Sequence, residues 1–169
     1  MKKIVIILTL LALAGSNVSA QEIIKGIKNQ GFLLKGSRAM PMIKFKEGLS
    51  VMLENKEDGM NFTVIKNGKQ FPLIEPVASA TYGQVAETDV DGDGSTDIIA
   101  AYRLGPSQFN LFIFKKAQFE TDYKMWCTIS GKNAILFDGN SKITLINPDN
   151  TTTSYMIDSE GKLSIIESK

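Results

Sequence analysis

Residues 61–75 read NFTVIKNGKQFPLIE. Two runs rich in β-branched and aromatic side chains, Asn61–Lys66 and Lys69–Glu75, flank the pair Asn67-Gly68. Both central residues tolerate positive φ, so this is a two-residue β-hairpin. Pro72 lacks an N–H for a ladder, which places the second strand at a sheet edge. A hairpin here makes the surrounding chain a β domain.

The same period of two extends outward. Leu49, Val51 and Leu53 alternate with Ser50, Met52 and Glu54 before a turn at Glu57-Asp58-Gly59. Downstream lie strands at Ile98–Arg103, Phe109–Lys115, Phe119–Ile129, Asn133–Phe137, Lys142–Asn147, Thr152–Ile157 and Leu163–Glu167. Turns at Asp138-Gly139-Asn140, Asn147-Pro148-Asp149-Asn150 and Ser159-Glu160-Gly161 join the last of them. About ten short strands on tight turns predict an all-β antiparallel meander. Phe109–Phe114 is apolar on both faces, so the meander should form two layers, as a sandwich or a partial-propeller-like stack. Ile23, Ile24 and Ile27 stand at helical spacing with Gly31 as a stop, which predicts a short N-terminal helix. In the long strand, strict alternation sets Phe119, Thr121, Tyr123, Met125 and Cys127 on one face. Trp126 then falls on the other face with Glu120, Asp122 and Lys124, and is expected to be covered there.

Residues 1–20 read as a secretory signal peptide. Lys2 and Lys3 precede the apolar run Ile4–Ala14, and Val18-Ser19-Ala20 supplies a small-residue cleavage pattern. Gln21–Lys169 is then one β-rich domain, periplasmic or secreted, with no membrane span. Without Lys2 and Lys3 the 19 basic residues fall to 17 against 18 acids, a net charge near −1. No basic stripe offers itself to nucleic acid. Cys127 is the one cysteine, so an internal disulfide is excluded, and it reads as a small buried hydrophobe. The chain has no histidine, which removes Ser-His-Asp and Cys-His nucleophiles and the common zinc sites. Glu57, Asp58, Glu75, Glu87 and Glu120 are scattered acids and read as solvated rather than as a catalytic pair.

One stretch carries chemistry: Asp89-Val90-Asp91-Gly92-Asp93-Gly94-Ser95-Thr96-Asp97. Carboxylates at loop positions 1, 3, 5 and 9, with glycine at 6, turn inward to one point. Calcium takes six to eight oxygens in flexible geometry, which suits such a loop. Ser95 would add its backbone carbonyl, and Asp97 would close the site. Position 12 is Ala100 and strand-type residues follow, so this is not an EF-hand. Four carboxylates held close repel one another, so an ion bound there contributes folding free energy.

Tyr82-Gly83-Gln84-Val85-Ala86, the acidic loop and Ile98-Ile99-Ala100-Ala101 together resemble one FG-GAP/VCBS-type repeat. Such repeats form blades of integrin-α-like β-propellers around a loop of the form Asp-x-Asp-x-Asp-Gly-x-x-Asp. The resemblance covers about Tyr82 to Phe114, and Tyr102-Arg103 departs from its usual Gly-Ala-Pro. It implies calcium ligands at Asp89, Asp91, Asp93, Ser95 (carbonyl) and Asp97. A whole propeller does not follow, because the chain has length for about three blades and only one such loop.

The functional expectation is an exported, calcium-stabilised, non-enzymatic binding or adhesion module for a protein or glycan. The alternatives are a periplasmic inhibitor or immunity-type protein and a carboxylate- or metal-dependent hydrolase.

Overall fold

The computed structural model describes residues 22–116 and 123–169. The signal segment and the Phe119–Asp122 half of the expected long strand lie outside them. Fourteen strands and one 3-10 turn make up the described residues, which contain no α-helix. β1 (Ile24–Lys25) and β2 (Gln30–Leu34) come first. Three successive four-strand meanders follow. The first is β3 (Met42–Lys44), β4 (Ser50–Lys56), β5 (Gly59–Lys66) and β6 (Lys69–Val77). The second is β7 (Ala80–Thr88), β8 (Asp97–Leu104), β9 (Gln108–Lys116) and β10 (Tyr123–Lys132). The third is β11 (Ala134–Gly139), β12 (Lys142–Ile146), β13 (Thr152–Ile157) and β14 (Leu163–Ser168). β2 adds to the second meander beside β7, and β1 adds to the third, parallel to β11.

The all-β antiparallel, sandwich-like reading therefore holds, and the strands form three sheets. The reason lies in the central sheet, built on β7, β8 and β9. Along β9, Phe109, Leu111 and Ile113 point to one core, while Phe114 points to the other. Along β8, Ile99 and Ala101 take the first side, and Ile98 and Ala100 the second. The first core is closed by Ile24, Ile135, Ile143 and Ile157 of the third sheet. The second is closed by Val51, Leu53, Phe62 and Val64 of the first. Each of the Val, Leu, Ile and Phe side chains among them, fully buried, contributes about 1.5–3 kcal/mol. A strand apolar on both faces needs a sheet on each side, and the central sheet has one on each. Gly83 on β7 sits where an added Cβ would meet the Met60 sulfur and the Phe62 ring. The close approach of the first two sheets requires glycine there.

The Asn67-Gly68 hairpin forms as expected, with φ of 50° and 74°. β6, which carries Pro72, is an edge strand.

The N-terminal helix does not form. Ile24-Lys25 is a strand, Gly26 turns at a φ of 81°, and Gln30–Leu34 is a second strand. The competing contact is Gln84, buried on β7. Its Oε1 accepts the N–H groups of Ile23 and Ile24, both at 2.9 Å, and its Nε2 donates to the Ile24 carbonyl at 2.9 Å. Ile135 N–H donates to Ile23 O at 2.8 Å. These bonds hold the segment extended, clasping the second and third sheets together. Gly31 is no helix stop. It makes room in β2 for the side chain of Ile43.

The expected alternation along β10 also fails, at Trp126. Met125 pairs with Phe114 and Cys127 with Ile113, so Trp126 is an inserted bulge residue. Met125 is 61 % exposed while Cys127 is buried in the first core. Trp126 is half-buried against that same core, and its indole N–H donates to Ser159 O at 3.2 Å. The covered reading of Trp126 is thus correct, and the shared face of Met125 and Cys127 is not. A bulge changes which way the following residues point.

Candidate metal centre

The acidic loop joins β7 to β8, whose facing ends pair at Thr88 and Asp97. Gly92 and Gly94 take φ values of 80° and 86°, which lets the loop fold over its own carboxylates. Asp89 accepts Gly92 N–H on Oδ1 at 2.7 Å and Gly94 N–H on Oδ2 at 2.9 Å. Asp93 accepts Ser95 N–H on Oδ1 at 2.8 Å, which is the first cause of its pKa lying below the usual carboxylate range. Asp97 is fully buried. Its Oδ2 accepts Val90 N–H at 2.9 Å, while its Oδ1 is buried with no hydrogen-bond partner. Burial pushes the Asp97 carboxyl up to about 7, opposed by the Val90 N–H and reinforced by the charges on Asp91 and Asp93.

Asp89, Asp91 and Asp97 each offer an oxygen, and these oxygens all lie within 4.8 Å of one another. This group could hold a metal ion. Of the five residues expected as ligands, the fold brings these three together. Asp93 turns instead toward Lys115 of β9, with Oδ2 at 3.1 Å from the ammonium. Ser95, half-buried, gives its N–H to Asp93. Lys115 also pairs with Asp91 Oδ2. Burial works to lower the Lys115 pKa, but the carboxylates of Asp91 and Asp93 outweigh it and raise it.

The root of the loop reaches all three sheets. Glu87, buried on β7, takes three donors. Thr96 Oγ1 and Lys46 N–H reach its Oε1, each at 2.9 Å, and Asn29 Nδ2 reaches its Oε2 at 2.8 Å. Lys46 belongs to the 3-10 turn Lys46–Gly48 before β4, and Asn29 to the turn before β2. On the other flank, Ser141 N–H of the third sheet donates to Val90 O at 2.8 Å. Glu87 is therefore a buried structural carboxylate and not a solvated one, a correction the tertiary contacts impose. Glu120 lies outside the described residues.

Sequence reasoning missed Lys115, Asn29 and Thr96. No spacing signal marks them, since they reach the loop from other strands or through the fold of the loop's own flank. No described helix is long and apolar enough to cross a membrane. Comparison with protein-family models, characterised proteins and solved structures gives no match.

Proposed function

We propose that the protein is an exported β-domain stabilised by one calcium ion in the Asp89–Asp97 loop, and that it serves as a non-enzymatic binding or adhesion module. The observation that carries the metal reading is the buried, partnerless Asp97 Oδ1 within a trio of carboxylates. An isolated buried carboxylate oxygen is costly, and a cation removes that cost. The oxygens lie within 4.8 Å of one another, which fits the roughly 4.6–5.2 Å across a calcium ion's oxygen shell. The resemblance of residues 82–114 to an FG-GAP/VCBS-type repeat supports the same ion. Because the loop's flanks hold the first, second and third sheets, an ion there would brace the whole domain.

Two grooves of about 700 Å³ each give a binding module places to hold a protein or glycan. One lies beside Asp89 and is lined by Lys28, Lys44, Lys46 and Phe137. The other runs along β6, with Pro72, Pro76, Tyr102 and Phe112 on its walls.

The test is thermal unfolding after chelation, then with calcium, then with magnesium. A saturable rise with calcium that magnesium does not match supports the reading. No shift at millimolar calcium would reduce the loop to a turn and remove the basis for a calcium-dependent module.

A further inference from the structure

Lys115 places a cation at the acidic loop from within the chain. Its ammonium pairs with Asp91 Oδ2 and lies 3.1 Å from Asp93 Oδ2. The same ammonium stands 5.2 Å from the centre of the Trp126 ring, across the β9–β10 pair. Asp91 belongs to two groups at once. It is one of the three carboxylates that converge with Asp97, and it is the partner of Lys115. Its Oδ1 also accepts Asp93 N–H at 3.4 Å, so both of its oxygens are engaged.

A divalent ion and an ammonium cannot both hold Asp91 at close range without strong repulsion. We infer that Lys115 is the resident counter-cation of the loop, that a divalent ion binds by displacing it, and that Lys115 thereby sets the affinity of the site. The inference rests on the metal reading proposed above. Displacement would free Asp93 as well as Asp91, which supplies the carboxylate the present trio lacks. The face of Trp126 already lies within the roughly 6 Å over which aromatic faces attract cations, so it can retain the ammonium when the carboxylates release it. Trp126 is the one tryptophan of the chain, so its fluorescence reports the exchange.

The experiment titrates the wild-type protein, Lys115→Met and Lys115→Arg with calcium, reading affinity by calorimetry and Trp126 fluorescence in parallel. Removing one competing charge at this range should tighten calcium binding by about tenfold or more in Lys115→Met. Lys115→Arg, which keeps the charge, should stay close to wild type. Wild-type fluorescence should change saturably along the binding curve, and that change should vanish in Lys115→Met. Calcium binding seen only in Lys115→Met would also support displacement. Equal or weaker binding by Lys115→Met overturns the inference while leaving the metal reading intact. No binding by any of the three proteins overturns both. If Lys115→Met does not fold, Lys115→Gln replaces it. If neither folds, unchanged wild-type fluorescence at saturating calcium overturns the inference.

Discussion

Two Asp-bearing connections between neighbouring antiparallel strands can be set side by side: the Asp89–Asp97 loop and the Asp158–Lys162 turn. In the turn, Asp158 Oδ1 accepts the N–H groups of Glu160 and Lys162, each at 2.9 Å. Its carboxylate is exposed, with Oδ1 taking both backbone donors and the group open to solvent. Asp89 behaves in the same way in the acidic loop, accepting Gly92 and Gly94 N–H. Acids and glycines in a turn are therefore not what distinguishes the loop. The difference is Asp97, the first residue of β8, which carries its carboxylate into the interior with one oxygen left without a partner. A turn satisfies its own carboxylate, whereas the loop carries one that its backbone cannot satisfy.

The sharpest way to break this contrast is Asp97→Ala. At calcium a hundred times its dissociation constant, a bound ion stabilises by about 2.7 kcal/mol. For a domain of this size that is a rise of roughly 5–10 °C in Tm. Asp97→Ala should abolish the rise in a thermal melt, and Asp158→Ala should keep it. If the two variants respond alike, the distinction between loop and turn is wrong.

Next come the glycines. Gly161 has a φ of 82°, and an added Cβ would run into the Trp126 carbonyl. Gly94 has a φ of 86° with open space around it. Gly161→Ala should cost about 1–3 kcal/mol from strain and overpacking together. Gly94→Ala should cost about 1 kcal/mol from backbone strain alone. Denaturant midpoints compare the two, and a larger loss at Gly94 would contradict the packing described.

A smaller effect is expected for Asp158→Ala itself, about 1 kcal/mol for two backbone N–H groups that lose their acceptor to water. The smallest concerns Cys127. Burial, with the nearby Asp158 charge in second place, pushes its thiol up to about 11. A thiol needs its thiolate form to react, so native protein at pH 8 should resist alkylation. Asp158→Ala should speed the reaction only slightly, because burial is the larger cause. Rapid labelling of native protein would place Cys127 outside the core.

Much of the fold was legible because its signals are local. The Asn67-Gly68 pair specifies its own hairpin, and Pro72 excludes β6 from a sheet interior. The run Phe109–Phe114 announces a strand covered on both sides, although not which sheets cover it. Other parts of the fold were not legible. β1, β2, β3 and β7 were not identified as strands at all. Ile23, Ile24 and Ile27 carry a helical spacing that only the side chain of Gln84, some 60 residues away, overrides. The alternation of β10 breaks at Trp126 because Ser159, Gly161 and the first core hold the indole on one side.

By itself, then, the sequence determined an all-β chain of short antiparallel strands and an acidic loop whose spacing suits a cation. These follow from side-chain period and turn chemistry, which act over a few residues. Only the tertiary structure decided that there are three sheets, that Asp89, Asp91 and Asp97 converge while Asp93 turns aside, and that Lys115 stands at the loop. Those outcomes depend on which side chains from distant strands meet, and burial of Asp97 exists only once β8 lies between two cores.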